Sequence, residues 1–408
     1  MRKHRYVVAG SVILALSLTA TACGTRSGGG DNAGPGGATH TKTVKIGVIA
    51  PLTGDLAPLG LGIKNSVDLA IKQANDNKTI PGWTLELDAQ DDQATPATGQ
   101  NAATTLAGDD EVAGVVGTLN SSVAQTVQPV LNNAKIVEVS PANTGVALTK
   151  GEDAANPKRP YANYFRTCTT DDVQGPFAAR YLFQDKGLKQ VATINDKKTY
   201  GAGLVASFET EFKKLGGTIV SHQTINPDDT NFSPVISKVQ AAHPKAIYYG
   251  GEFPQAGPLS NQAKAAGLDV PVMGGDGIYD PNYIKLAGGK SDGDLATSVG
   301  APADTLDSAK SFVDAYAKAG YKDPYAAYGA YSYDAANAII NALKTSLANA
   351  GDVKSARQAT IDAVGKDDFQ GATGHVSFDE YGDATSRVLT VYAVKGGSWG
   401  PVKTGEFK

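Results

Sequence analysis

The chain of 408 residues has a formal charge of −4, from 37 Lys and Arg against 41 Asp and Glu, and holds only 2 cysteines. A mildly acidic chain without a basic cluster argues against nucleic acid as a partner, and so few cysteines exclude a disulfide framework. The length exceeds what one hydrophobic core organises, so two domains are expected.

Arg2, Lys3 and Arg5 give a cationic start ahead of an apolar run from Val7 to Leu18. That run is too short for a permanent membrane span, and residues 1–22 read as a signal peptide ending in Ala20-Thr21-Ala22. Cys23-Gly24, directly after this small-residue site, resembles the lipobox of bacterial lipoproteins, although Ala20 stands where Leu is usual. The resemblance implies that Cys23 is acylated and becomes the mature N-terminus. Residues 23–43 are mostly small and polar, and read as a flexible tether with an r.m.s. span of roughly 25 Å. The expected location is extracytoplasmic, anchored to the bacterial cell membrane by a lipidated Cys23. Cys168 then has no partner and reads as a small packed side chain.

Val44 to Ala50 is a short apolar run and predicts a buried strand. Ile63, Val67, Ala70, Ile71 and Ala74 recur at helical spacing, and Thr84 to Asp88 alternates as a strand. Thr95-Pro96 gives a helix start; Val112 to Val116 is a strand, a helix opens near Ser121, and Ile136 to Val139 is a fourth strand. The pattern then restarts. Helices carrying Val173 to Leu182 and Leu204 to Leu215 flank a strand at Gln190 to Ile194, the second helix being stopped by Gly216-Gly217. Strands near Thr218–Ser221, Ala246–Tyr249 and Val270–Met273 alternate with helices from Ser233-Pro234 and near Gln255. Helical stretches at Asp307–Ala319 and Pro324–Ala350 precede strand-like segments at His375–Phe378 and Arg387–Val394. Regular alternation predicts an α/β fold with parallel central sheets covered by helices, and two such runs predict two Rossmann-like lobes. Ligands of such sheets sit at the carboxyl ends of the strands, so the following loops are the informative ones.

Those loops carry GTLNSS (117–122), VSPANT (139–144), NDKKTYGAGL (195–204), IYYGGEFPQAG (247–257) and MGGDG (273–277). With KIGVIAPLTG (45–54) and DDQATP (91–96), in this order, the chain resembles the periplasmic leucine/isoleucine/valine-binding proteins of ABC transporters from about Val44 to Val402. The resemblance implies two lobes joined by three crossing segments with the ligand in the cleft between them. Residues 44–165 plus 300–375 would form one lobe, and 166–299 plus 376–408 the other.

Ser121 and Ser122 open a helix, where free N–H groups and the dipole favour a carboxylate; capping is the ordinary alternative for such a serine. Thr144 can add a hydroxyl and an N–H, and the Ala142 carbonyl can accept from an ammonium. The resemblance implies that Ser121, Ala142 and Thr144, with Asn143 beside them, hold the α-carboxylate and α-amino groups of an amino acid. Asp276 lies in a Gly-Gly-Asp-Gly loop that leaves its carboxylate free to face a crevice, and by resemblance it pairs with the ligand ammonium. Tyr200 resembles a lid residue, although a core tyrosine is the plain alternative. Leu59 and Glu252 stand where aliphatic-ligand binders of this family tend to place aromatic residues. Glu252 either lines the pocket and implies a polar or cationic ligand, or points to solvent.

Enzyme readings fail. Gly396-Gly397-Ser398-Trp399-Gly400 fits G-x-S-x-G, but only residues 401–408 follow it and none is histidine. Gly60-Leu61-Gly62 lacks the third glycine of a dinucleotide loop, and the 5 histidines are scattered without metal-ligand spacing. The Asp pairs at 91–92, 109–110, 171–172 and 228–229 read as caps and turns. The expected function is therefore a monomeric extracytoplasmic binding protein without cofactor or metal, delivering a branched-chain or related amino acid to the membrane permease of an ABC importer. The rival is an extracellular sensor of an amino acid or amide. A lipid anchor without a later membrane span favours transport, because a sensor needs a route across the bilayer.

Overall fold

The computed structural model describes residues 41–408. The expected signal peptide, Cys23 and nearly all of the expected tether lie outside the described residues. Strand β1 (Lys42–Ala50) starts inside the segment assigned to the tether: Lys42 pairs with Trp83 in a parallel ladder, and its ammonium lies 5.0 Å from that indole. Among the described residues no helix is long and apolar enough to cross a membrane.

The first sheet contains β1, β2 (Trp83–Asp91), β3 (Val112–Gly117), β4 (Val137–Ser140) and β5 (Tyr164–Arg166), all parallel, in the order β2-β1-β3-β4-β5. Every residue of β3 is buried because helices cover both faces. Val115 packs with Leu106, Val123 and Val127, while Val116 joins a larger core with Ile63, Val67 and Ile339. The second sheet contains β6 (Gln190–Asn195), β7 (Thr218–Thr224), β8 (Ala246–Gly250), β9 (Val272–Gly274) and β10 (Leu295–Ser298). After a small hairpin, β11 (Asp368–Gly371) with β12 (Gly374–Ser377), the chain adds β13 (Val388–Lys395) and β14 (Ser398–Glu406) to that sheet. β10, β13 and β14 pair antiparallel, an edge that strand alternation alone did not predict. β14 forms the outer edge; it carries Pro401 and Lys403, and its register with β13 breaks at Val391/Tyr392.

Helices Gly329–Ser346 and Val353–Val364 return to pack on the first sheet. The chain therefore passes between the lobes after β5, after β10 and before β13. Helix Gly329–Ser346 starts later than the periodicity from Pro324 suggests, since Ala326 has a φ of 53° that no helix continues. Helix Val353–Val364 was not anticipated, although Asp352 caps it by accepting from the Ser355 N–H at 2.8 Å.

Arg166 closes β5 and is 0 % exposed. Its Nε donates to Asp383 Oδ1 at 2.7 Å, its Nη1 to the carbonyls of Asn143 at 2.7 Å and Gly145 at 3.0 Å, and its Nη2 to Thr149 Oγ1. One guanidinium thus ties the first crossing to the third and fixes the loop after β4. Replacing it by methionine leaves the buried Asp383 with only Lys150, at 3.5 Å, as a cationic partner, and Arg166→Met is expected to lower unfolding free energy by about 3 kcal/mol in urea titrations.

Glu138 in β4 is fully buried, and neither of its carboxylate oxygens has a hydrogen bond among the described residues. Burial pushes its carboxyl well above the ordinary range. The folded state therefore holds this proton at pH values where the unfolded chain has lost it, so the group's contribution to stability falls as pH rises from the unfolded carboxylate range to the folded pKa. Glu138→Met is expected to reduce the pH slope of stability above pH 5 by up to one proton, about 1.4 kcal/mol per pH unit, in denaturation series at stepped pH.

Candidate functional site

The loops after β3 and β4 meet those after β8 and β9 across a narrow crevice lined by Leu59, Leu119, Asn120, Ser121, Ala142, Tyr200, Glu252, Asp276, Gly277 and Tyr328. On the first lobe, helix Ser121–Asn133 begins at the crevice with no side chain capping its N-terminus. Asn120, not Ser121, occupies the cap position, and Ser121 Oγ instead accepts from the Gly145 N–H of the loop after β4 at 3.2 Å. The helix start thus keeps donors and the positive end of its dipole for an anion.

On the second lobe, Asp276 follows β9 and is 2 % exposed. Its Oδ1 accepts from Gln174 Nε2 at 2.9 Å and the Tyr200 hydroxyl at 2.8 Å, and its Oδ2 from the Tyr328 hydroxyl at 2.8 Å. All three donors are neutral. Burial raises the Asp276 carboxyl above the ordinary range, and these hydrogen bonds pull it back toward ionisation. Asp171, at the start of helix Asp171–Arg180, is also fully buried, with no hydrogen bond to either carboxylate oxygen among the described residues. Burial, then the charge of Asp276, hold its carboxyl well up. Asp171 therefore is not the helix cap that its sequence position suggested.

Glu252 is 3 % exposed and lines the crevice, so it does not point to solvent. Its Oε1 accepts from Asn120 Nδ2 at 2.7 Å, and its Oε2 takes Lys198 Nζ at 3.0 Å. Asp196 beside it is pushed up to about 7, by burial and then by the Glu252 charge, against the pull of Lys198. A close approach of backbones places these groups: a Cβ on Gly250 would lie 2.1 Å from the Gly201 carbonyl oxygen. Only glycine there lets the helix carrying Tyr200 rest against the end of β8, next to Glu252. Asn120–Glu252, Tyr328–Asp276 and Gln125–Thr199 are hydrogen bonds from one lobe to the other.

Of the residues singled out from the sequence, Leu59, Ser121, Ala142, Tyr200, Glu252 and Asp276 share the crevice. Asn143 and Thr144 lie behind its wall. The Asn143 amide donates to the Leu119 carbonyl at 2.9 Å and accepts from the Tyr164 hydroxyl at 3.0 Å, which holds the two first-lobe loops together. Thr144 is buried with its hydroxyl unpartnered among the described residues. Tyr200 is buried as a core tyrosine would be, yet its hydroxyl is spent on the Asp276 carboxylate. Sequence reasoning missed Gln174, Lys198 and Tyr328, which act through contacts distant along the chain. Cys168 is buried and its thiol faces the Asn143 carbonyl at 3.4 Å, with burial raising its pKa, as a packed residue should. No cluster of His, Cys, Asp and Glu suited to a metal exists among the described residues.

The chain matches the periplasmic binding protein family over residues 43–398. It is 30% identical over 354 residues to a Leu/Ile/Val-binding protein of Rhizobium johnstonii, covering 87% of this chain and 92% of the relative. It is also 30% identical, over 86% of this chain and 89% of the relative, to a leucine-, isoleucine-, valine-, threonine- and alanine-binding protein of Pseudomonas aeruginosa. Among solved structures, a branched-chain amino acid transporter substrate-binding protein of Streptococcus pneumoniae in complex with isoleucine superposes with a TM-score of 0.79 at 26% identity, covering 90% of this chain and 100% of that one. Two α/β lobes with a polar crevice between their loop edges, matched over nearly their full length, make this chain a member of the periplasmic binding protein family, a binding protein and not an enzyme.

Proposed function

We propose that the protein is the extracytoplasmic substrate-binding component of an ABC importer, that it holds an amino acid, branched-chain or related, between its lobes, and that it hands this ligand to a membrane permease. The observation that carries the reading is the opposition of charge across one crevice. The uncapped helix start at Ser121 suits a carboxylate, and the buried Asp276 carboxylate on the same crevice from the other lobe has no cationic partner among the described residues. A zwitterion satisfies both. Ser121 and Ala142, backed by Asn143 and Thr144 behind the wall, would take the α-carboxylate and α-amino groups, Asp276 the ammonium, and Tyr200 would cover the ligand. The names of the relatives, which bind leucine, isoleucine and valine, support the same ligand class. Because the contacts come from both lobes, the ligand favours the conformation that brings the lobes together, and the permease would recognise that form.

Asp276→Asn removes the charge, keeps one oxygen able to accept from Tyr200, and turns an NH₂ toward the Tyr328 hydroxyl, which can then accept instead of donate. It is expected to weaken the binding of the preferred amino acid more than about a hundredfold in calorimetry, the consequence of leaving a buried ammonium unpaired; unchanged affinity would remove Asp276 from the site. The proposal includes a monomer anchored through acylated Cys23 and needing no cofactor. Cys23→Ser is expected to move the protein from the membrane fraction to the soluble fraction of cells, and an unchanged distribution would overturn the anchor.

A further inference from the structure

Resting on that reading, we propose that the ligand's side chain ends in a neutral hydrogen-bond donor, a carboxamide foremost and a hydroxyl next, and not in the bare methyl groups of leucine, isoleucine or valine. Leu59, Leu119, Asn120 and Glu252 line the crevice together with Asp276. Asn120 and Glu252 are each 3 % exposed, so both polar groups are held away from bulk water. A carboxylate only accepts, so the Asn120 nitrogen must be the atom facing Glu252 Oε1, and this fixes the amide's orientation. Its oxygen is then the remaining polar atom, and Asn120 Oδ1 is buried with no donor among the described residues.

Glu252 also retains acceptor capacity, since each of its oxygens receives one bond and a carboxylate oxygen offers two lone-pair sites. The two acceptors stand on opposite lobes. A terminal NH₂ with two N–H groups can serve both, and would add a donor-bridged link between the lobes only when ligand is bound. A methyl group placed there would leave Asn120 Oδ1 buried and unpaired, which is why sites built to hydrogen-bond a group discriminate strongly against the isostere lacking it. A cationic side chain would have to sit beside Lys198, whose ammonium lies 3.0 Å from Glu252 and 3.9 Å from Asp196 and already serves both carboxyls, and an anionic one meets only acceptors on Asn120 Oδ1 and Glu252. Leu59 and Leu119 suit the short carbon stem of such a ligand.

The test is calorimetry of the purified protein against isosteric pairs, leucine with asparagine and valine with threonine, and against lysine and aspartate. Asparagine is expected to bind at least about tenfold more tightly than leucine, and threonine more tightly than valine, the size set by one unsatisfied buried acceptor. The double variant Asn120→Leu with Glu252→Leu is expected to level or reverse that order. Tighter binding of leucine than asparagine by the unaltered protein, or a preference for lysine, would overturn this inference and leave the amino-acid reading standing. Binding of none of these ligands would overturn both. The ligand panel decides the matter on the unaltered protein even if the double variant does not fold.

Discussion

The buried guanidinium of Arg166 is the constraint on which the site's geometry depends. It spends its donors on one carboxylate, one hydroxyl and two backbone carbonyls, so its charge is dispersed where water cannot reach. Because the carbonyls belong to Asn143 and Gly145, the loop after β4 cannot shift without exposing a buried charge. Gly145 in turn donates to Ser121, which carries the constraint to the helix start on the crevice wall. Asp383 brings in a segment from the end of the chain, so the clamp loop and the passages between the lobes are set by one group.

The opposite wall is built on the reverse principle. Asp276 is surrounded by neutral donors and Asp171 has no geometric hydrogen bond to its carboxylate, so among the described residues two carboxyls stand there without a directly paired cation. Such a wall is stable enough to fold, because neutral hydrogen bonds offset part of the desolvation, yet it gains most when a positive group arrives. Glu252, on the same crevice, illustrates the alternative arrangement, where Lys198 supplies the cation at 3.0 Å. The crevice therefore has one carboxylate with a cation beside it and another held only by neutral donors, and the second gains more from an arriving ammonium.

Much of this was legible in the sequence. Continuous apolar runs such as Val112 to Val116 are what a strand covered on both faces requires, and their alternation with helical spacing gave the lobes. The place of Asp276 on the crevice was expected from its resemblance to an acidic position of the family, since glycines around an acid fit a plain turn equally well. β5 and β10 were not, since three or four residues carry no period to detect. Tyr328 lies 52 residues from Asp276 and Gln174 lies 102 residues from it, so only the fold reveals that they serve one carboxylate. Asp171 was misread for a related reason: an acid at a helix start looks like a cap from local sequence, and its depth in the molecule depends on chain that follows much later.

The terminal hairpin has a consequence for how the protein behaves among its own copies. The outer margin of the second sheet is β14, where a proline removes one N–H, a lysine sets a charge, and the break in register twists the ribbon away from flatness. A neighbouring chain seeking a rail of unpaired amides to extend finds an interrupted and charged one. High local abundance of the protein is thereby compatible with its copies staying dispersed.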